Sequence, residues 1–509
     1  MKHSFSRLPR HLREIQAKLT EYARGFGLDF YTIMFEVLSY EEMNEVASYG
    51  GFPKRYPHWR FGMEYERMSK SYSYGLHKIY EMVINNDPCY AYLLEGNSLV
   101  DQRMVMAHVM AHCDFFKNNM FFAHTNRKMM NAMANHGARI AGYMNRFGRD
   151  EVERLLDSCL SLDNLIDPIR APGMVRGETP ERESDAAAEP SGADVDERSY
   201  MFRFMEPGEP DDGVAEDMEP EPRPLSIQAD AYGQDVMGFL LHHAPLKGWE
   251  QTVLDIVRRE AYYFVPQAQT KIMNEGWATY WHSRIMTEKV LTAADVVDYA
   301  DHASSVLATT GNQINPYKLG VELFRHIQSR WDSGRFGKEY EECTDAAARA
   351  SWDMETGQGL RKIFEGRRCY NDITFIDEFF TDEFCEEQNL FTMRYVDHRE
   401  RWEVISRSAR KVKMALLGQL TNLGNPIISV LDANHANRGE LLLAHQHEGA
   451  DLRIDWARDV LENLCRLWKR PVHIATVLKD KEVHLRYDGQ DHSILEQDEA
   501  PPPESEDEG

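Results

Sequence analysis

Cysteine is sparse. The chain holds seven in 509 residues, scattered and with no Cys-x-x-Cys pair. That sets aside a disulfide framework and a CxxC metal or redox motif, and predicts reduced thiols in a cytoplasmic protein. Basic charge is also short: 58 Lys and Arg face 83 Asp and Glu, a formal net charge of −25. Nucleic acid and anionic membrane surfaces recruit clustered cations, so neither is an expected partner. No apolar run approaches the roughly 18 residues of a membrane span. The opening MKHSFSRLPRHLREIQ lacks the apolar stretch of a secretory signal. No GxSxG elbow or P-loop stands out, so serine hydrolase and NTPase chemistry have no support. None of the 20 histidines has a Glu three residues before it, which disfavours a di-iron bundle built on Glu-x-x-His. No solenoid-period repeat is present.

What the chain does have is apolar content of 42 %, enough for a sizeable core. Residues 1–174 read as a helical part. The pattern over 10–48 is helical, YGGFPKRYPHWRFGMEYERM at 49–68 reads as a long ordered loop, and helix resumes from 76 to about 165. Ser98 with Asp101 is a capping-box start, and Gly148-Arg149-Asp150 opens another helix. Residues 175–228 are rich in Glu, Asp, Pro and Ser and predict an acidic disordered insert, interrupted by YMFRFM at 200–205. Residues 229–395 predict a second helical part of the same core. Residues 396–490 predict a C-terminal α+β domain, with a ββαββ pattern after Asn425, and 491–509 an acidic disordered tail. The expected fold is mainly α with a small C-terminal α+β domain.

The chemistry concentrates in two short stretches. AHVMAHCDFF at 107–116 places His108 and His112 four apart, on one helix face. They are either metal ligands or two core imidazoles with hydrogen-bonded ring nitrogens. NEGWATYWH at 274–282 predicts a helix started by Pro266 and running to about Thr287. Glu275, Thr279 and His282 share a face there, among apolar neighbours. A buried carboxylate needs a partner, either a metal or an arginine. Gly276 costs about 1 kcal/mol against Ala in mid-helix and leaves room for another backbone beside Glu275. Two His at i, i+4 and a later Glu form the donor set of His₂Glu zinc sites, where the ion lowers the pKa of bound water towards 7.

NEGWATYWH resembles the EGWAxY helix of gluzincin-type zinc peptidases. AHVMAHCDFFKNN, NEGWATYWH, GGFPKRYPHWRFGMEYE and the C-terminal domain together resemble the stage V sporulation protein R (SpoVR-like) family. The resemblance implies a bacterial metalloprotein with a gluzincin-like helical core. A divalent metal, zinc first, would sit on His108, His112 and Glu275, with His282 a further candidate. It also implies a link to spore cortex formation or stress response, and a serine protein kinase as partner. One position departs from the gluzincin pattern: Val109 stands where those enzymes carry the catalytic glutamate. The base would then be Glu64, Glu66, Glu260 or His282, or no peptide is cleaved. Tyr56, Trp59, Trp277 and Tyr280 are expected to wall a cleft for a small or peptide-like substrate. Arg60 would bind an anionic group or pair with Glu64, Glu66 or Glu275. Two functions stay open: a metal-dependent hydrolase of an amide or peptide-like bond, or a non-catalytic regulator with a structural metal. Outside this site, His445 and His447 share a strand face. With His435, His473 and His484 they are either a second metal site or polar residues of a half-exposed sheet. Cys113 reads as a buried apolar thiol. Asp114 reads as a surface carboxylate, a helix partner or a hydrogen-bond partner to a ligand on another helix.

Overall fold

A computed structural model of the chain describes residues 8–73, 81–170, 232–308, 315–396 and 401–496. The acidic insert with its YMFRFM island, and the end of the acidic tail from 497, lie outside the described residues. The chain divides into two compact units: Met1–Asp157 with Arg259–Asn425, and Ser158–Arg258 with Pro426–Gly509.

The first unit is mainly helical. Its helices include α1 (Arg10–Gly25), α2 (Tyr40–Ser48), α3 (Trp59–Ser73), α4 (Leu99–Asn118) and α5 (Met129–Phe147). The chain then enters α6 (Arg149–Leu160), passes through α7 (Val236–His243) and α8 (Gly248–Gln269), and returns with α9 (Lys271–Ile285), α10 (Val296–Leu307) and α11 (Pro316–Ser333). Three further helices, α12 (Gly359–Cys369), α13 (Asp372–Phe379) and α14 (Asp382–Glu387), precede a two-stranded hairpin and α15 (Ala409–Leu420). Among the described residues no helix is long and apolar enough to cross a membrane.

Helix α4 is the centre of this unit and is buried almost throughout from Val100 to Phe116. It starts where expected: Asp101 N–H donates to Ser98 Oγ, and Ser98 N–H donates to the Asp101 carboxylate, each at 3.2 Å. Helices α1 and α9 pack against it. Helix α9 in turn crosses α11 at Gly276 and Gly320, where each glycine faces the other's backbone so closely that a Cβ on either would overlap it. This is the close approach that a mid-helix glycine beside Glu275 calls for. Gly276→Ala should therefore cost about 3 kcal/mol or more, as overpacking at a rigid contact does; denaturant unfolding measures it, and a loss under about 1 kcal/mol, the scale of helix propensity alone, would contradict the crossing.

Three sequence expectations need correction here. Residues 10–48 are not one helix: α1 ends before Gly27, which adopts φ +95, and β1 (Ile33–Leu38) follows before α2. Residues 76–98 are not helical as far as they are described: β2 (Glu81–Ile84) and β3 (Cys89–Leu94) form a hairpin. β1 pairs parallel with β3, giving the order β1-β3-β2. β3 is apolar on both faces, and such a run has no period to separate strand from helix. The 49–68 segment is not a loop to its end, because α3 begins at Trp59 and packs on α2.

In the second unit β6 (Ile427–His435), β7 (Glu440–Gln446), β8 (Val472–Leu478), β9 (Lys481–Tyr487) and β10 (His492–Glu496) form one mixed sheet, ordered β10-β9-β8-β7-β6. The labels β4 (Thr392–Val396) and β5 (Arg401–Ser406) belong to the hairpin before α15. α16 (Ile454–Trp468) joins β7 to β8, which run parallel, and covers one face of the sheet. The expected ββαββ pattern is present with one strand more. β10 falls in the segment read as acidic tail; its Ser493-Ile494-Leu495 run was too short against the flanking acids to register as a strand, and it pairs antiparallel with β9.

Candidate metal centre

Helix α4 presents His108 and His112, one turn apart and buried. Helix α9 presents Glu275 to both. Glu275 Oε2 lies 3.6 Å from His108 Nε2 and 3.5 Å from His112 Nε2. The three residues offer donor atoms all within 4.8 Å of one another. Glu275 Oε2 is buried and accepts no hydrogen bond among the described residues. Burial raises the Glu275 carboxyl, and hydrogen bonds and positive charge from the two rings, when they carry hydrogen on Nε2, outweigh this and hold it well below the ordinary carboxylate range.

The far sides of both rings are also fixed. His112 Nδ1 sits 2.9 Å from Asn274 Oδ1. An amide oxygen only accepts, so His112 Nδ1 carries the hydrogen and Nε2 keeps its lone pair towards Glu275. His108 Nδ1 sits 2.8 Å from His282 Nδ1, one of which donates to the other. This is the outer arrangement that orients metal-ligating imidazoles. When His108 Nδ1 is the donor to His282, the lone pairs of two imidazoles and a carboxylate face one point, and a divalent cation there relieves their repulsion. Bonds of about 2.0–2.1 Å at tetrahedral angles set zinc donors roughly 3.4 Å apart, close to the separations found. The donor set and its spacing fit a divalent metal.

A cavity of about 470 Å³ adjoins the cluster, lined by His108 and His282 with Met104, Val105, Thr279, Tyr299, Leu307, Tyr317 and neighbours from α4, α9, α10 and α11. Its size suits a small ligand. No carboxylate lines it among the described residues. Burial pushes the Tyr299 hydroxyl up to about 12, which keeps it a neutral donor. Thr279 Oγ1 is buried with no hydrogen-bond partner among the described residues.

Most other expected site residues lie elsewhere. Trp277 is fully buried and donates through Nε1 to Asp114 at 2.9 Å, while Tyr280 donates to Gln328. Tyr56 is buried beside Arg55 and Phe61. Trp59 is 53 % exposed and bonds through Nε1 to Asp157 at 2.7 Å, and Arg60 is exposed. None of these five lines the cavity: Trp59 and Arg60 belong to a helix rather than a loop over it, and Tyr56, Trp277 and Tyr280 are engaged by the contacts just given. Among the candidate bases, Glu64 pairs with Arg67 and Glu66 with Lys70 along α3. Glu260 is held by Arg55 at 2.6 Å and His136 at 2.9 Å. Only His282 borders the cavity, and it stands behind His108 rather than among the three donors. Burial pushes the Cys113 thiol well up, against nucleophilic use.

Asn274 escaped the sequence reading, although it sits inside NEGWATYWH immediately before Glu275. Of its three readings Asp114 meets that of the helix partner, and is neither surface nor ligand partner. It is fully buried and gathers Arg367, Trp277 and the Asp29 N–H. Asp372 escaped as well. Pro266 does not start the metal-side helix but lies in the last turns of α8. The N-terminus of α9 is instead satisfied by the Asp372 carboxylate, which accepts from Ile272 N–H at 2.8 Å and Met273 N–H at 2.9 Å. Burial pushes this carboxyl up to about 7 although the two N–H groups favour its ionised form. The unfolded value is near 3.9, so between the two values the folded chain holds the extra proton. The stability this group contributes is therefore present at low pH and lost as pH rises from about 4 to about 7. Unfolding free energies of wild type minus Asp372→Asn should fall across that window and level off above it. A difference independent of pH would contradict this.

A mainly helical unit with a His/His/Glu cluster beside a cavity, joined in one chain to a mixed five-stranded sheet, defines the class. The chain belongs to the SpoVR-like family: the family model for SpoVR like protein matches residues 7–425, and that for the SpoVR-like C-terminal domain matches 426–479. It is similar to the uncharacterized protein YcgB of Escherichia coli (strain K12), at 29 % identity over 495 residues and 92 % of each chain. No solved structure matches it.

Proposed function

We propose that this chain is a metal-dependent hydrolase of an amide or peptide-like bond in a small substrate, with His108, His112 and Glu275 holding a divalent ion, zinc first. The observation that carries the reading is the convergence of three buried donors, each imidazole backed by a fixed partner, beside a cavity of about 470 Å³. The gluzincin likeness of NEGWATYWH supports the donor assignment. A bound ion would supply Lewis acidity and an activated water. The chain's own groups supply the rest. With His108 ligating through Nε2, its Nδ1 hydrogen is donated to His282 Nδ1. His282 then carries its own hydrogen on Nε2 and acts as a donor, not a base. Thr279 and Tyr299 add neutral polar contacts for a substrate, and Arg325 adds a positive charge to the cavity lining.

The absence of a carboxylate from the described cavity wall, with Val109 buried at the usual position of the base, favours a second reading. In it the ion is structural and the protein is a cytoplasmic regulator or scaffold working with a serine protein kinase in stress response or sporulation. One experiment separates the two. Metal-loaded wild type and Glu275→Ala are assayed on a panel of N-acyl amino acids and dipeptides, with circular dichroism of each. The hydrolase reading expects amine release by wild type that falls at least 100-fold in a folded variant. No release above the metal-free protein would overturn it.

A further inference from the structure

The geometry points to a second metal site in the C-terminal unit, a three-histidine centre for a divalent transition-metal ion on His435, His473 and His484. Strand alternation puts these residues on the sheet face opposite α16. β8 sends Val472, Ile474 and Thr476 to one side and His473 to the other, and β9 sends Val483 and Leu485 to one side and His484 to the other, in the register Ile474 with Leu485. His435 ends β6 opposite Glu440. Ring centroids lie 4.8 Å apart for His435 and His473 and 6.1 Å for His435 and His484. One donor atom from each residue falls within 4.8 Å of the others.

The buried member decides between a metal site and a polar patch. His473 is 2 % exposed. Its Nε2 donates to Glu440 Oε2 at 2.6 Å, and Glu440 is itself held by Arg438 at 2.7 Å. That bond places the hydrogen on Nε2 and leaves a lone pair on Nδ1. Nδ1 is buried and has no hydrogen-bond partner among the described residues. A lone pair buried without a donor is costly, and here its companions are two more imidazoles. A carboxylate behind a ligating imidazole is the usual means of fixing its tautomer and raising its basicity. His435 and His484 are half-buried, so the site opens to water. Three imidazoles with one open position match zinc or another nitrogen-preferring divalent ion. Drawing the donors onto one zinc ion needs them to close to roughly 3.4 Å. The other two histidines of the sequence cluster serve elsewhere: His445 bonds to Thr476 and His447 to Asp451.

The test is a Zn²⁺ titration of the full chain against a chromophoric chelator, after exhaustive chelation. His484→Ala, at a half-buried strand position, should bind one ion fewer than wild type. Glu440→Gln keeps all three imidazoles and should weaken that same ion about 10- to 100-fold, which covers the case in which removing an imidazole disturbs the sheet. Both variants should keep the ion at His108, His112 and Glu275, so the outcome is independent of that site's fate. Unchanged stoichiometry and affinity in both variants would overturn the proposal.

Discussion

Asp114→Ala is expected to destabilise the first unit by about 3–5 kcal/mol, the cost of leaving a buried charge without its partner. Arg367 reaches both Asp114 oxygens at 2.6 Å with its guanidinium buried. The same carboxylate accepts from Trp277 Nε1 and from Asp29 N–H. One side chain therefore ties α4 to α9, to α12 and to the turn after α1. Asp114→Asn should cost nearly as much, since the amide cannot neutralise Arg367. Adding Arg367→Met to Asp114→Asn should recover part of the loss, because removing both charges is far less costly than stranding one. Urea unfolding of the two single variants and the double variant measures this. Additive losses would show that the pair does not act as a unit.

The second large effect is linkage between metal and stability. An ion that binds only the folded chain adds about 4 kcal/mol at a free concentration 1,000 times its Kd. Wild type treated with a chelator should lose thermal stability and regain it on adding zinc. His112→Ala should lack that response at the α4–α9 site, because two donors remain where three stood. Asn274→Ala keeps all three donors but frees the His112 ring, and should weaken the ion about 10- to 100-fold. Thermal unfolding of a His484→Ala background isolates this site from the C-terminal one. An equal response to zinc with and without His112 would count against the assignment.

How much of this was legible in the sequence depends on range. Local signals held: the Ser98–Asp101 cap, the shared face of His108 and His112, the room that Gly276 leaves for a second backbone, and the C-terminal α+β pattern. Each is written in residues no more than a few positions apart or in a clear period. What failed was long-range. β1 and β3 pair across 56 residues, as in Ile33 with Cys89, and β3 is buried on both faces, so nothing local marks it as strand. Trp59, Tyr56, Trp277 and Tyr280 are aromatic in the manner of cleft walls, but packing assigns them to α3, the core and Asp114. Glu260 looked like an available base until the fold brought Arg55 and His136 to it. Asn274 and Asp372 act through contacts 162 and 99–100 residues away in sequence, which no spacing rule reveals.

The central claim is that His108, His112 and Glu275 hold one divalent ion. Zinc-edge X-ray absorption on the His435→Ala, His484→Ala chain tests it most directly, because the C-terminal histidines are then out of play. The account predicts one zinc per chain with two imidazole nitrogens and oxygen donors at about 2.0–2.1 Å, lost in Glu275→Ala. A chain that takes up no zinc, or a spectrum with sulfur donors or without imidazole, would contradict it.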